Sequence, residues 1–119
     1  MSERRPWVTV VETPAYLARA ERILDETQRQ AVVDLLTSNP EVGDVMQGTG
    51  GARKVRFAVE GRGKSGGARV IYFFHNEGMP VFLLTVYTKN QKANLSAADK
   101  NAMQKLCRAI VATYTKRGE

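Results

Sequence analysis
Among its 119 residues this chain has one cysteine, one histidine and one tryptophan. Cys107 has no second thiol to meet, so an internal disulfide is excluded. No Cys/His cluster carries the spacing of a zinc site. No apolar stretch approaches the roughly 20 residues that span a bilayer. The opening "MSERRPWVTVVETP" is basic but lacks the apolar core and small-residue cleavage site of a signal peptide. Together these absences predict a cytoplasmic protein with no membrane partner, no metal and no cofactor. "GTGG" at 48–51 lacks the Lys-Ser/Thr of a phosphate-binding loop and does not lead into a helix. It reads as a flexible connector.

What the chain does have is unevenly placed positive charge. The net charge is +6, and the length fits one domain spanning 1–119. Residues 1–52 hold 5 basic and 8 acidic side chains, a net of −3. Residues 53–69 hold 6 basic and 1 acidic, a net of +5: Arg53, Lys54, Arg56, Arg62, Lys64 and Arg69 against Glu60. The remaining residues, 70–119, hold 7 and 3, a net of +4. A solvated hairpin whose charges protect a sheet edge is one reading of the central segment. A site for a polyanion is the other.

The periodicity predicts the order β-α-α-β-β-β-α. "WVTVVET" is a strand ended by Pro14, with Thr13 as cap of the following helix. Tyr16, Leu17, Ala20, Ile23 and Leu24 recur at helical spacing, and so do Ala31, Val32, Leu35 and Leu36 behind a cap at Asp25. "RKVRFAV", "ARVIYFF" and "VFLLTVYT" are three strands on short links, hence an antiparallel meander. The last helix begins behind Ser96, with Asp99 at capping-box spacing. Its buried stripe is Leu95, Met103, Leu106, Ile110 and Val111. The fold class is α+β, with helices on one face of an antiparallel sheet and the face of Lys54 and Arg56 left free.

Hairpin geometry sets Arg69 at the same end of the sheet as Tyr87 and Lys89, sharing a face by parity. Cations around an aromatic ring suit single-stranded nucleic acid. His75 lies six residues from Arg69, roughly 20 Å away at about 3.3 Å per residue, and reads as a residue flanking a turn. Cys107 reads as a small buried hydrophobe, and Trp7, Phe73 and Phe82 as core.

The combination "GDVMQGTGGARKVR", "GKSGGARVIYF" and "LLTVYTKN" resembles the RelE/ParE superfamily of toxin–antitoxin toxins, and within it the HigB branch. The likeness runs from about Trp7 to the final helix. It implies a RelE-like fold and a toxin that cuts messenger RNA in the ribosomal decoding site. A cognate helix-turn-helix antitoxin of HigA type would hold it inactive, and that complex would meet operator DNA. The resemblance implies Lys54, Arg56, Arg69 and Lys89 as the catalytic set. Lys54 and Arg56 match two basic positions on the second strand of the family, and Arg69 matches the arginine opening the third. Lys89 and Asn90 fall where relatives carry Lys-Arg, so Asn90 is a departure. "KANLSAAD" offers no counterpart to the Tyr or His that several relatives place near the scissile phosphate. Arg53, Arg62, Lys64, Tyr87, Asn90 and Lys92 complete the expected RNA-binding set. RNA supplies its own nucleophile: attack by a 2′-OH leaves a 2′,3′-cyclic phosphate and a 5′-hydroxyl. The protein then supplies alignment, charge and proton transfer. In this scheme Lys54 is the base, Arg56 and Arg69 clamp the phosphate, and Tyr87 stacks on or orients a base. A gyrase-inhibiting toxin of the ParE branch and a non-enzymatic nucleic-acid-binding module are the rival readings.

Overall fold
A computed structural model describes residues 8–59, 67–91 and 95–117 of the chain. The element order is β1 (Val10–Glu12), α1 (Pro14–Ile23), α2 (Glu26–Ser38), β2 (Asp44–Val45), β3 (Ala52–Phe57), β4 (Ala68–Phe73), β5 (Val81–Thr88) and α3 (Ala97–Arg117). The five strands form one sheet in the order β1-β5-β4-β3-β2. β3, β4 and β5 make the expected antiparallel meander. β1 joins it parallel to β5, with Val10 opposite Val81 and Glu12 opposite Leu83. The chain between those two strands passes through two helices and the rest of the sheet, so it has the length a parallel pairing requires.

Local chemistry starts each helix as the sequence indicates. The Thr13 hydroxyl accepts from the Tyr16 N–H at 3.2 Å and donates to the Leu83 carbonyl at 2.7 Å. One side chain thus caps α1 and ties the end of β1 to β5. Asp25 and Gln28 form a reciprocal capping box at the start of α2, with bonds of 2.8 and 2.9 Å. Ser96 and Asp99 exchange the equivalent pair before α3.

The layering differs from the expectation of one free sheet face. α1 and α2 cover one face: Tyr16, Ala20, Ile23, Val32 and Leu36 pack with Val70, Tyr72, Leu83 and Val86. α3 lies on the other, where Cys107, Met103, Ile110 and Tyr114 pack with Ile71, Phe73, Phe82 and Leu84. The sheet is therefore a central layer. "VIYFF" and "VFLL" carry little alternation because β4 and β5 are closed on both sides. The stripe of α3 also differs by one position. Leu106 is 45% exposed, and Cys107 takes its place in the core. Among the described residues, no helix is long and apolar enough to cross a membrane.

The glycine-rich segment is an ordered hairpin rather than a flexible connector. Met46 N–H donates to the Ala52 carbonyl at 2.9 Å, and the buried Thr49 hydroxyl donates to Met46 O and accepts from Ala52 N–H. The short β2 that results was hidden from periodicity because two residues carry no period. Tyr72 anchors its entry. The phenol accepts from Gly43 N–H and donates to the Pro40 carbonyl, both at 2.8 Å. A Cβ at Gly43 would lie 2.9 Å from the Lys54 carbonyl and 3.0 Å from the phenol oxygen, so only glycine fits there.

Two measurements follow from this packing. Tyr72→Phe leaves a buried N–H and a buried carbonyl without the phenol, so denaturant unfolding is expected to show a loss of about 1–3 kcal/mol with little change in slope. Burial pushes the Cys107 thiol from 9.0 up to about 11. Burial first, then Glu12, pushes the Tyr16 phenol up to about 12, with Arg29 opposing. Each group keeps its proton in the folded state over a range where the unfolded chain has lost it. Their contribution is therefore full below pH 9 and falls as pH rises towards the folded values. Urea midpoints measured upwards from pH 9 should decline, and Cys107→Ala should make the first part of that decline shallower.

Candidate active site
The register of the meander builds a row of side chains across three strands. Arg56 on β3 is directly opposite Arg69 on β4, and Arg69 is directly opposite Tyr87 on β5. Strand alternation puts Lys54 on the same face as Arg56, one step along β3. This is the α3 face, since Ala52 and Ile71 at the same parity belong to the α3 core. Side chains directly opposite in antiparallel strands have Cβ atoms about 4.5–5.5 Å apart, and like charges so placed repel. Arg56 is exposed and Arg69 half-buried. Two guanidinium groups at this spacing can grip one phosphate from two sides.

The next row brings in a residue that sequence reasoning missed. Asp44 on β2 is opposite Lys54, which is opposite Ile71. A carboxylate therefore borders the cationic face. The signal available was the hairpin itself: "GTGG" between two short strands sets residue 44 across from residue 54. Lys89 and Asn90 are exposed in the turn after β5, at the end of the sheet where Arg56 and Arg69 lie. Gln91 closes that turn, its N–H donating to Thr88 O and its side-chain oxygen accepting from Thr88 N–H. The strand ends at Thr88, so parity with Arg69 does not extend to Lys89.

Two expected RNA contacts are placed elsewhere. Arg53 pairs with Tyr72 and so has the opposite parity, on the α1–α2 face. Its Nη1 donates to Gly43 O at 2.8 Å and to Glu41 O at 3.3 Å, which holds the entry to β2. Tyr87 shares the row with Arg69 but is only 3% exposed, because α3 covers it. Its ring is a wall, not an open stacking platform. Arg62, Lys64 and Lys92 lie outside the described residues.

Beside Tyr87 is a cavity of about 250 Å³ between β5 and the first half of α3. Leu84, Leu95, Met103 and Leu106 line it, with Arg19 of α1 and Asp99 of α3 as its charged members. A β-bulge shapes the strand side. Ile71 pairs with Thr85 but Tyr72 with Leu83, leaving Leu84 as the extra residue, and both Leu84 and Thr85 face the cavity. Arg19 belongs to the acidic half of the sequence and gave no sign of joining the cationic half.

His75 is exposed at the far end of β4, its ring stacked on Phe73 at 6.1 Å. Cys107 is buried and its raised thiol pKa disfavours the nucleophilic thiolate. Both are where the sequence placed them. Among the described residues, no three His, Cys, Asp or Glu side chains cluster as metal ligands.

Comparison with known proteins gives these positions a context. The fold is similar to that of an arginine-to-alanine double mutant of E. coli toxin RelE in the free state. The TM-score is 0.53 at 16% identity, covering 73% of this chain and 88% of that one. Residues 12–117 match the family model described as "RelE toxin of RelE / RelB toxin-antitoxin system". With nearly the whole described fold inside that match, the chain belongs to the RelE toxin family.

Proposed function
We propose that this toxin is an endoribonuclease that cuts messenger RNA on the ribosome, and that the face carrying Lys54, Arg56 and Arg69 is its active site. The observation that carries the reading is the direct pairing of Arg56 with Arg69, with Lys54 beside them on the same face. A repulsive pair of this kind suits a doubly gripped phosphate better than it suits a sheet. In the reaction, Lys54 takes the proton of the ribose 2′-OH. The 2′-oxygen forms a bond to the adjacent phosphorus, and the bond to the 5′-oxygen breaks. That oxygen gains a proton from solvent. The arginines bind the charge that builds on the non-bridging oxygens and hold the phosphate in line. Lys54 then returns its proton to solvent, so no group of the protein is consumed and the atoms balance. Lys89 and Asn90 extend the contact along the RNA backbone, and the charge of Arg62, Lys64 and Lys92 makes them further candidates for RNA binding.

Membership of the family implies an antitoxin partner. We assign the chain to the HigB type on the motifs "GDVMQGTGGARKVR" and "LLTVYTKN", which makes a HigA-like helix-turn-helix protein the expected antitoxin and operator DNA the ligand of their complex. β1 is the edge of the sheet beyond β5 and offers a seat on which an antitoxin segment could pair.

Arg69→Ala, Arg56→Ala and Lys54→Ala are each expected to slow cleavage on programmed ribosomes about a hundredfold, which is about 3 kcal/mol of transition-state stabilisation, with circular dichroism unchanged. His75→Ala should cut at the wild-type rate. Full activity in all three folded variants would remove the site from this face. A second measurement tests the role of the ribosome: the purified chain should leave free RNA intact at concentrations where it cuts ribosome-bound message. Inhibition of gyrase without RNA cleavage, or RNA binding without cleavage, would overturn the nuclease reading in favour of its rivals.

A further inference from the structure
We propose that the cavity between β5 and α3 is a nucleobase pocket, which receives the unpaired base of the nucleotide whose phosphate lies on Arg56 and Arg69. The proposal rests on the RNA reading above and adds a specificity site to it.

Size is the first argument. At about 250 Å³ the cavity falls just below the roughly 300–1,000 Å³ typical of drug-sized ligands, which is room for one flat heterocycle. Its walls are the second. Leu84, Leu95 and Met103 with the Tyr87 ring offer apolar and aromatic surface, the lining that holds an extruded base. Leu106 is 45% exposed, a large apolar side chain that a base in the cavity would cover. Polar chemistry is the third. The Arg19 guanidinium can donate to the acceptors every base carries on its edge, N7 or N3 of a purine (with O6 in guanine) and O2 of a pyrimidine. Asp99 is held by its capping bond to Ser96 N–H at 3.2 Å, and a carboxylate has acceptor sites enough to take a base N–H as well.

Position is the argument that decides. Tyr87 is both a wall of the cavity and the strand partner of Arg69, whose other partner is Arg56. Neighbouring strands are about 4.8 Å apart, close to the reach of one ribose between a base and its phosphate. A base seated against Tyr87 therefore sets its phosphate over β4 and β3, where the two arginines are. This also gives Tyr87 a place in RNA recognition that its burial denies it as an open stacking platform.

The test is direct binding to the full chain, freed of antitoxin, followed by NMR shift perturbation. The probes are the four nucleoside 5′-monophosphates, with ribose 5-phosphate as the base-free control. At least one monophosphate should bind ten times more tightly than the control, with shifts at Leu95, Ala102 and Leu106. Ala102→Phe, at an exposed helix position that lines the cavity, should reduce that preference below twofold. Arg19→Ala, on the outer surface of α1, should weaken the monophosphate about tenfold and leave the control unchanged, and it needs no repacking. Equal binding of monophosphates and control, or a preference that survives both substitutions, overturns the pocket. On programmed ribosomes, Ala102→Phe should change which bases flank the cuts. Cuts at unchanged sites and rate in both variants would also overturn it. A wild-type chain that binds the monophosphates selectively but never cuts RNA would defeat the nuclease reading and leave the base pocket standing.

Discussion
Val70 and Tyr72 of β4 point into the layer of α1 and α2, while Ile71 and Phe73 point into α3. Closing one strand on both faces is the constraint from which the rest of the structure follows. It requires helices on both sides, so α3 cannot join α1 and α2. It also makes the two sides unequal along the strand. The His75 end of the α3 face is filled by Phe73, Phe82 and Tyr114, with Phe82 and Tyr114 meeting edge to face at 5.7 Å. The other end carries Arg69 and Arg56. The cationic face is the part of the sheet where side chains are too polar to bury and the register repeats that polarity on neighbouring strands.

The same constraint explains how one segment divides its cations. Arg53, Lys54 and Arg56 are nearly consecutive, and composition treats them alike. Alternation separates them. Arg53 turns to the α1–α2 side and spends its guanidinium on the carbonyls of Glu41 and Gly43. Together with the Tyr72 phenol it fixes the chain entering β2. β2 then sets Asp44 opposite Lys54. A structural arginine on one face thus positions the strand that borders Lys54 on the other.

Electrostatics and packing pull against each other in this arrangement. Like charges opposite one another on adjacent strands weaken a sheet, by tenths of a kcal/mol to about 1 kcal/mol for each pair. The core on both sides is large enough to hold the register regardless, since burying one aliphatic or aromatic side chain contributes about 1.5–3 kcal/mol. The cost of keeping Arg56 and Arg69 in register is therefore small beside what fixes the strands that carry them, and an anion bound between them would reverse its sign.

By itself the sequence determined the three helices with their caps, because those depend on neighbours three and four residues away: Thr13 with Tyr16, Asp25 with Gln28, Ser96 with Asp99. It determined the meander, because short links leave no other pairing. Counting back from one turn also set Arg69 at the same end of the sheet as Tyr87, although their direct pairing depends on the bulge between Ile71 and Tyr72, which no count reveals. Other features were decided only by tertiary structure. Whether α3 lies on the near or the far face depends on which surface it can bury, and period alone does not tell. Tyr87 and Leu106 exchanged their expected environments for that reason, the ring going under the helix and the leucine out to its rim. From the acidic half of the chain, Asp44 reached the border of the cationic face through a two-residue strand, and Arg19 reached the cavity beside Tyr87 from α1. Such contacts join residues tens of positions apart, and no local pattern records them, because the free energy that fixes them is the burial of surface belonging to other elements.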